Sequence, residues 1–274
     1  MAESTTNDNR RRAFSDVVAV DAWHDPFGKT TKVKLFADVV FDTARIGGEA
    51  ESNVRFRLSL KRAEVVVVIP DAEPIRVDKA SVSRDAPEQS GKITRKQKRN
   101  RSLNIKGFLS AHSSSHPLRT EGSVSAQASS SEHEQVTISE RYSAMTVIQS
   151  KTEDGHYRWV VEARDDASLK GRPWNASSNP RLKLMDSRSD ITKGIPPTVR
   201  IEVRCRREDI NISDIEIKDE GLWEKARAAT GFSNRVAAAE SYIRAKLLEV
   251  GLEERNIGDK FGTLCFASVT AESV

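Results

Sequence analysis

The stretch that decides the fold is Val54–Ile69, VRFRLSLKRAEVVVVI. Apolar residues occupy even positions in its first half and odd positions in its second: Val54, Phe56, Leu58 and Leu60, then Ala63, Val65, Val67 and Ile69. Because side chains alternate along a strand with a period of two, this change of parity requires an extra residue or a bend near Lys61 and Arg62. A chain that bends in this way passes between packed sheets, which predicts an antiparallel β-sandwich. Residues 65–69 are apolar on both faces, which predicts a central strand.

Short alternating segments separated by turn residues continue the β pattern on both sides. Lys32–Phe41 carries apolar residues at every second position. Thr137–Ala163 is predicted to be a hairpin, and Val199–Ile217 a second one. The predicted fold class is therefore mainly β, and the β-domain is expected to span residues 16–218.

The C-terminal region, residues 219–274, has a different pattern. Asp219 is expected to cap a first helix that runs through Ala229 with Gly231 as its stop, and Ser233 a second helix that ends at Gly251. A final strand over Phe261–Val269 is expected to return to the sheet. This predicts a helical pair packed on the β-sandwich, α+β overall.

A polar, serine-rich stretch, Ser110–Glu134, interrupts the strands. It has almost no large apolar side chains, so ordering it would cost about 1–2 kcal/mol per residue in backbone entropy with little burial in return. We therefore predict a flexible insertion over residues 88–135. Residues 1–15 are predicted to be a disordered tail that contains the basic triplet Arg10–Arg12.

The overall charge is nearly balanced, with a formal value of +4, so local clusters decide the electrostatics. Cys205 and Cys265 lie in apolar runs, which favours free thiols in a reducing cytoplasm over a disulfide or metal site. No segment approaches the roughly 20 apolar residues of a membrane helix, and the polar start is unlike a secretory signal. A cytoplasmic protein, off the membrane in its resting state, is expected.

Basic residues form the candidate binding site for nucleic acid or for an acidic partner. One group is a dense run near the insertion, and the other lies on the solvent side of a predicted strand. A solvated loop and an aggregation-resistant strand face explain the same residues without a ligand. The candidates are Arg95, Lys96, Lys98, Arg99, Arg101, Arg200, Arg204 and Arg206.

Catalytic motifs are absent from the sequence, and we expect neither a cofactor nor a metal site. Glu216 and Lys218 are spaced as in the Glu-x-Lys half of a metal-dependent nuclease site, but only Asp186 and Asp190 are nearby candidates for the second carboxylate. His112 and His116 are four apart with serines between them and a proline following, which does not favour zinc binding.

The sequence therefore predicts a non-enzymatic β-scaffold that binds a protein partner or forms a homo-oligomer. Nucleic-acid binding through the basic loop is the main alternative. A metal-dependent nuclease is a weaker one. A pore-forming β-hairpin protein is another, because Gly122–Ala128 and Val136–Ile148 alternate apolar with polar residues.

Overall fold

A computed structural model describes residues 10–28, 32–49, 52–84, 90–98, 135–143, 145–164, 167–188, 195–218, 228–252 and 259–274. For residues 90–98, 135–143 and 228–233 the description is of the backbone. The chain is mainly β, with one α-helix in its described part. The strands are β1 (Arg10–Arg12), β2 (Val18–His24), β3 (Lys32–Phe41), β4 (Ala44–Gly47), β5 (Val54–Leu60), β6 (Arg62–Val68), β7 (Ile75–Asp78), β8 (Ser90–Lys98), β9 (Gln135–Ser143), β10 (Met145–Lys151), β11 (Tyr157–Ala163), β12 (Leu182–Asp186), β13 (Arg200–Arg206), β14 (Ile210–Ile217), β15 (Thr263–Thr270) and β16 (Glu272–Ser273).

These strands form four sheets. The large sheet has the order β1-β15-β13-β6-β11-β10, and the second sheet has the order β16-β2-β3-β12-β7. A three-stranded sheet has the order β14-β5-β4, while β8 and β9 pair in a two-stranded sheet. The chain divides into a body, residues 1–90 and 143–274, and a second compact unit, Gly91–Tyr142, which we call the β8–β9 unit.

The parity break at Lys61 is the point where the chain leaves one sheet and enters another. β5 pairs with β14 in the three-stranded sheet, and β6 pairs with β13 in the large sheet. The partner strands bend at the same level, through a 3-10 turn at Arg207–Asp209. The Lys61 N–H donates to the Asp209 carbonyl at 2.8 Å, so one corner holds the other. The predicted bend is confirmed.

Two predicted strand patterns are also confirmed. In β3 the apolar residues at odd positions, from Val33 to Phe41, are all buried. β6 lies between β13 and β11, as expected for a strand that is apolar on both faces, and Val66 and Val67 are both buried. Residues from these strands, from β2 and from the helix belong to one cluster of buried side chains.

The predicted hairpin at Val199–Ile217 is wrong. β13 and β14 are separated by only three residues, but they lie in different sheets and each pairs with a strand from residues 54–68. The other predicted hairpin is present over Met145–Ala163, where β10 pairs with β11. Its predicted first residues belong instead to β9, which pairs with β8.

The predicted helical pair is corrected to one helix in the described chain, α1 (Ala228–Glu249). The helix continues through Gly231 and Ser233, so neither residue ends or caps a helix, and residues 219–227 lie outside the described chain. Ala239, Ile243 and Leu247 are fully buried on one face. The helix stops at Gly251 as predicted, with φ +69. No helix of the described chain combines the length and apolar character needed to cross a bilayer.

The predicted tail also needs a correction. Arg10–Arg12 form β1 and pair with β15 at the edge of the large sheet, and Phe14 is buried. The arginines have body partners: Arg10 donates to Glu272, Arg11 to the Gly251 carbonyl and Arg12 to the Val20 carbonyl. These contacts, together with the pairing of β1 with β15, attach residues 10–12 to the body.

Deletion of Lys61 tests the corner. The deletion removes the bond to Asp209 and the Lys61 carbonyl that accepts from the Ala163 N–H at 2.9 Å. It also rotates the faces of β6 relative to β5, so we expect a loss of at least about 4 kcal/mol in the free energy of unfolding. Urea unfolding followed by circular dichroism measures this loss. Insertion of one glycine between Glu153 and Asp154, in the turn between β10 and β11, is the control and should cost far less. Equal midpoints for the deletion and the native chain would contradict the role of the corner.

Candidate functional site

The β8–β9 unit is the candidate functional site. Within the described chain, β8 and β9 pair with each other and with no third strand. The residues between them, 99–134, contain the predicted flexible stretch Ser110–Glu134 and lie outside the described residues. β10 begins at Met145, two residues after β9 ends at Ser143, so the chain passes from the unit directly into the edge strand of the large sheet.

The first predicted basic group lies at the end of β8. Arg95, Lys96 and Lys98 belong to this strand, while Arg99 and Arg101 lie outside the described residues. Nucleic-acid binding through this group stays a prediction.

The second predicted basic group lies on β13, and each of its arginines has an acidic neighbour. Arg204 contacts the Glu202 carboxylate at 2.7 Å, and Arg200 reaches the same carboxylate at 3.5 Å. Arg206 lies 3.5 Å from Glu208. Charge pairing of this kind reduces the positive field at the sheet surface. The first group belongs to the β8–β9 unit and the second to the body.

The residues considered for metal chemistry do not form a cluster in the described chain. Glu216 lies 3.7 Å from Arg45. Asp186 accepts from Arg188, which holds the pKa of this carboxyl below its usual value. The described residues contain no group of three or more metal-ligating side chains. His112, His116 and Asp190 lie outside the described residues.

A buried Arg–Trp cluster holds the chain where it approaches the β8–β9 unit. Arg181 is 1% exposed, and its guanidinium carbon lies 4.4 Å from the ring centre of Trp174 and 5.7 Å from that of Trp159. The Trp159 indole N–H donates to the Ser83 carbonyl, and the Ser83 N–H donates to the Arg181 carbonyl, both at 2.8 Å. Ser83 is seven residues before β8 begins. The sequence carries no signal for this cluster, because its members are distant in the chain.

Arg181 is a buried cation without a carboxylate partner among the described residues. Its Nη1 has no hydrogen-bond partner, and its other bonds reach the Asn179 carbonyl at 3.4 and 3.5 Å. Burial lowers the pKa of Arg181 to about 10. The aromatic rings compensate part of the cost of burying the charge.

Replacement of Arg181 tests this balance. We expect Arg181→Met to unfold at the same or a higher urea concentration, because methionine fills the space without burying a charge. Arg181→Glu should lose about 3 kcal/mol or more, because a carboxylate facing aromatic rings has no donor. In the native protein the pKa of Arg181 is lower in the folded state than in the unfolded state. The destabilisation from its buried charge is therefore fully present at neutral pH and decreases only as the pH rises through about 10. A large loss in Arg181→Met would indicate that the charge itself stabilises the fold.

Comparison with known proteins does not assign the chain to a family. No protein-family model matches the sequence, and no curated protein sequence matches it. Among solved structures, the membrane-inserted form of the NetB toxin of Clostridium perfringens aligns with 74% of this chain and 87% of its own chain. The sequences are 9% identical and the TM-score is 0.26, a value that does not establish a shared fold.

Proposed function

We propose that this protein is a non-enzymatic β-scaffold that assembles with copies of itself through the β8–β9 unit. The observation that carries the proposal is the two-stranded sheet, which has no third strand in the described chain. A two-stranded sheet is marginally stable in water. Within the part of the chain that the structure describes, its two outer edges have no strand partner, and the N–H and C=O groups of such edges readily pair with another strand. A second copy of the chain supplies strands of the same kind.

The scaffold that we infer is a β-sandwich in which the large sheet packs on the second sheet. Support comes from the cluster of buried side chains, which contains Val203 of the large sheet and Leu35 of the second sheet. A well-packed body of this kind keeps its shape while a less stable unit exchanges its strand pairing.

The assembly that we infer is heterologous. β8 and β9 are different strands, so pairing β8 of one copy with β9 of the next satisfies both outer edges in every interior copy. Such head-to-tail contacts generate a ring if the rotation closes and a filament if it does not. Pairing of β9 with β9 would give a dimer and leave both β8 edges unpaired.

Disulfide trapping between two variants tests the pairing. One variant carries Lys96→Cys on β8, and the other carries Ser139→Cys on β9 and an affinity tag. We expect a mixed disulfide dimer after mild oxidation, because β8 of one copy lies beside β9 of another. Neighbouring positions on each strand are scanned in the same way to cover the possible registers. Mass and tag retention on a non-reducing gel identify the mixed dimer.

The native thiols give a low background in this experiment. Burial raises the pKa of Cys265 to about 12 and that of Cys205 well above its usual value, so neither reacts readily at neutral pH. The native chain is the matched control. A protein that stays monomeric in light scattering at all concentrations, with no mixed dimer at any tested position, would contradict self-assembly. Recovery of a different protein as the partner would favour a heteromeric scaffold instead.

A second candidate function, pore formation in a membrane, is a particular case of such assembly and is favoured by the sequence between β8 and β9. Within Leu103–Ala111 the odd positions are apolar or glycine, and the even positions are polar except for Phe108. Within Gly122–Ala128 the even positions are apolar or glycine, and the odd positions are polar. A membrane-spanning strand needs about 9–11 residues with one apolar face toward lipid and one polar face toward the lumen. The first pattern spans nine residues and the second seven, so the second strand needs residues that flank the pattern. The polar segment between the two patterns contains Pro117 and both His112 and His116, which suits a turn at a strand tip.

Dye release from phospholipid vesicles tests the pore. Val124→Arg places a charge on the apolar side of the alternation and should abolish release, because a lipid-facing arginine costs about 2–4 kcal/mol at the bilayer midplane. Ser125→Arg, on the polar side one residue later, is the matched control and should retain release. Equal effects of the two substitutions, or no release by the native protein, would contradict pore formation while leaving the disulfide test of assembly unaffected.

A further inference from the structure

A cavity of about 480 Å³ lies beside the three-stranded sheet and α1. Among the described residues, its lining contains three basic side chains, Arg55 of β5, Lys218 just after β14 and Arg235 of α1, and one acidic side chain, Glu216. The formal balance of this described lining is therefore +2. The apolar part of the lining comes from Val54, Ile215 and Ile217.

Three other cavities of the body do not have this excess of positive charge. The cavity that contains Arg200 and Arg204 has three basic residues against two acidic ones. The cavity beside β7 and the turn between β10 and β11 has three Lys or Arg residues against three Asp or Glu residues. The cavity on the other side of Ser52 has one basic residue against two acidic ones. The balance of +2 distinguishes the first cavity from these.

The side chains of Arg55 and Lys218 are available to a ligand. Neither makes an ion pair with the described part of the chain, and the carboxylate of Glu216, which is opposite Arg55 in the strand register, lies 3.7 Å from Arg45. Lys218 is fixed at its backbone, where its N–H donates to the Asn53 carbonyl at 2.8 Å. Arg55 and Lys218 therefore lie close together in the register of two paired strands, and both belong to the cavity lining.

Gly48 positions Arg55. It has φ +88, and a Cβ added to it would lie 3.1 Å from Cδ and 3.4 Å from Cγ of Arg55. The aliphatic part of the arginine thus packs over a residue that has no side chain, and both residues belong to the cavity lining. Because Gly48 combines a left-handed backbone with this close approach, any other residue would be strained and would displace Arg55.

We infer that this cavity binds a phosphate monoester. A monoester carries a charge close to −2 at neutral pH, since its second pKa is about 6, and this charge matches the two cations, Arg55 and Lys218, that make no ion pair in the described chain. Arginine binds two phosphate oxygens through its planar fork, and lysine supplies a point charge to a third. The apolar residues of the lining contact the carbon part of the ligand.

The test uses the full chain with glycerol 3-phosphate as the probe, measured by isothermal titration calorimetry. We expect saturable binding to the native protein and a loss of at least about tenfold in affinity for Arg55→Gln and for Lys218→Gln, the effect of one charge-assisted hydrogen bond. Dimethyl phosphate, which carries one charge, should bind more weakly than glycerol 3-phosphate. Gly48→Ala should weaken binding without removing any charge.

The matched control is Arg57→Gln. Arg57 is also an exposed arginine of β5, two residues from Arg55, but it does not line the cavity and lies 3.5 Å from Asp214. An affinity loss for Arg57→Gln equal to that for Arg55→Gln would overturn the proposal, because it would indicate a general effect of net charge. Urea unfolding of each variant checks that the fold is retained.

A second arm distinguishes a soluble ligand from a lipid headgroup. Vesicles of phosphatidylcholine with and without phosphatidic acid are sedimented with native protein and with each variant. Binding that requires phosphatidic acid and is lost in Arg55→Gln but not in Arg57→Gln places the monoester on a membrane. Binding of glycerol 3-phosphate alone places it in solution. Failure to bind either probe overturns the proposal. Neither arm depends on assembly of the β8–β9 unit.

Discussion

The hydrogen bond from the Lys61 N–H to the Asp209 carbonyl, 2.8 Å long, is the interaction on which the body depends. It joins two corners of the chain, one between β5 and β6 and the other between β13 and β14. Two more hydrogen bonds lie at the first corner: the Ala163 N–H donates to the Lys61 carbonyl, and the Leu169 N–H donates to the Leu60 carbonyl. Arg207, within the second corner, binds Glu240 and so attaches α1 to it. Because both strands of the pair turn together, the large sheet and the three-stranded sheet share a continuous two-stranded ribbon and one cluster of buried side chains.

The body and the β8–β9 unit differ in what stabilises them. The body buries apolar residues from many strands in one cluster, whereas β8 and β9 form a sheet with no third strand among the described residues, and a sheet of two strands is marginally stable. The chain is anchored on both sides of the unit, at Ser83 by Trp159 and Arg181, and at β10 by its pairing with β11. A change of strand pairing in the unit therefore need not unfold the body, and the proposed self-assembly depends on this property.

Charge pairing separates the basic residues that have an acidic partner from those that have no ion pair in the described chain. Arg200 and Arg204 share Glu202, and Arg158 binds Glu64 at 2.9 Å on the same sheet. Arg55 and Lys218 are instead directed to a cavity that has an excess of positive charge. Counting basic residues along a strand cannot separate these cases, because the acidic partner often comes from another position of the fold.

The sequence by itself determined which face of each strand is buried, where the chain changes sheet and where the helix stops. The parity break at Lys61, the alternation of β3 and the helix end at Gly251 all follow from local periodicity and from the backbone freedom of glycine. Only the tertiary structure decided which strands pair. β13 and β14 are adjacent in sequence, but β13 pairs with β6 and β14 pairs with β5. The sequence of a strand does not specify which other strand lies at its edge. The hydrogen bond at the corner fixed both pairings at once. The same reason limits what the sequence shows about the candidate sites. The sequence identified basic residues on solvent faces. Contacts between residues that are not adjacent in the chain decide the neutralisation of Arg204, the burial of Arg181 between two tryptophans and the lining of one cavity by both Arg55 and Lys218.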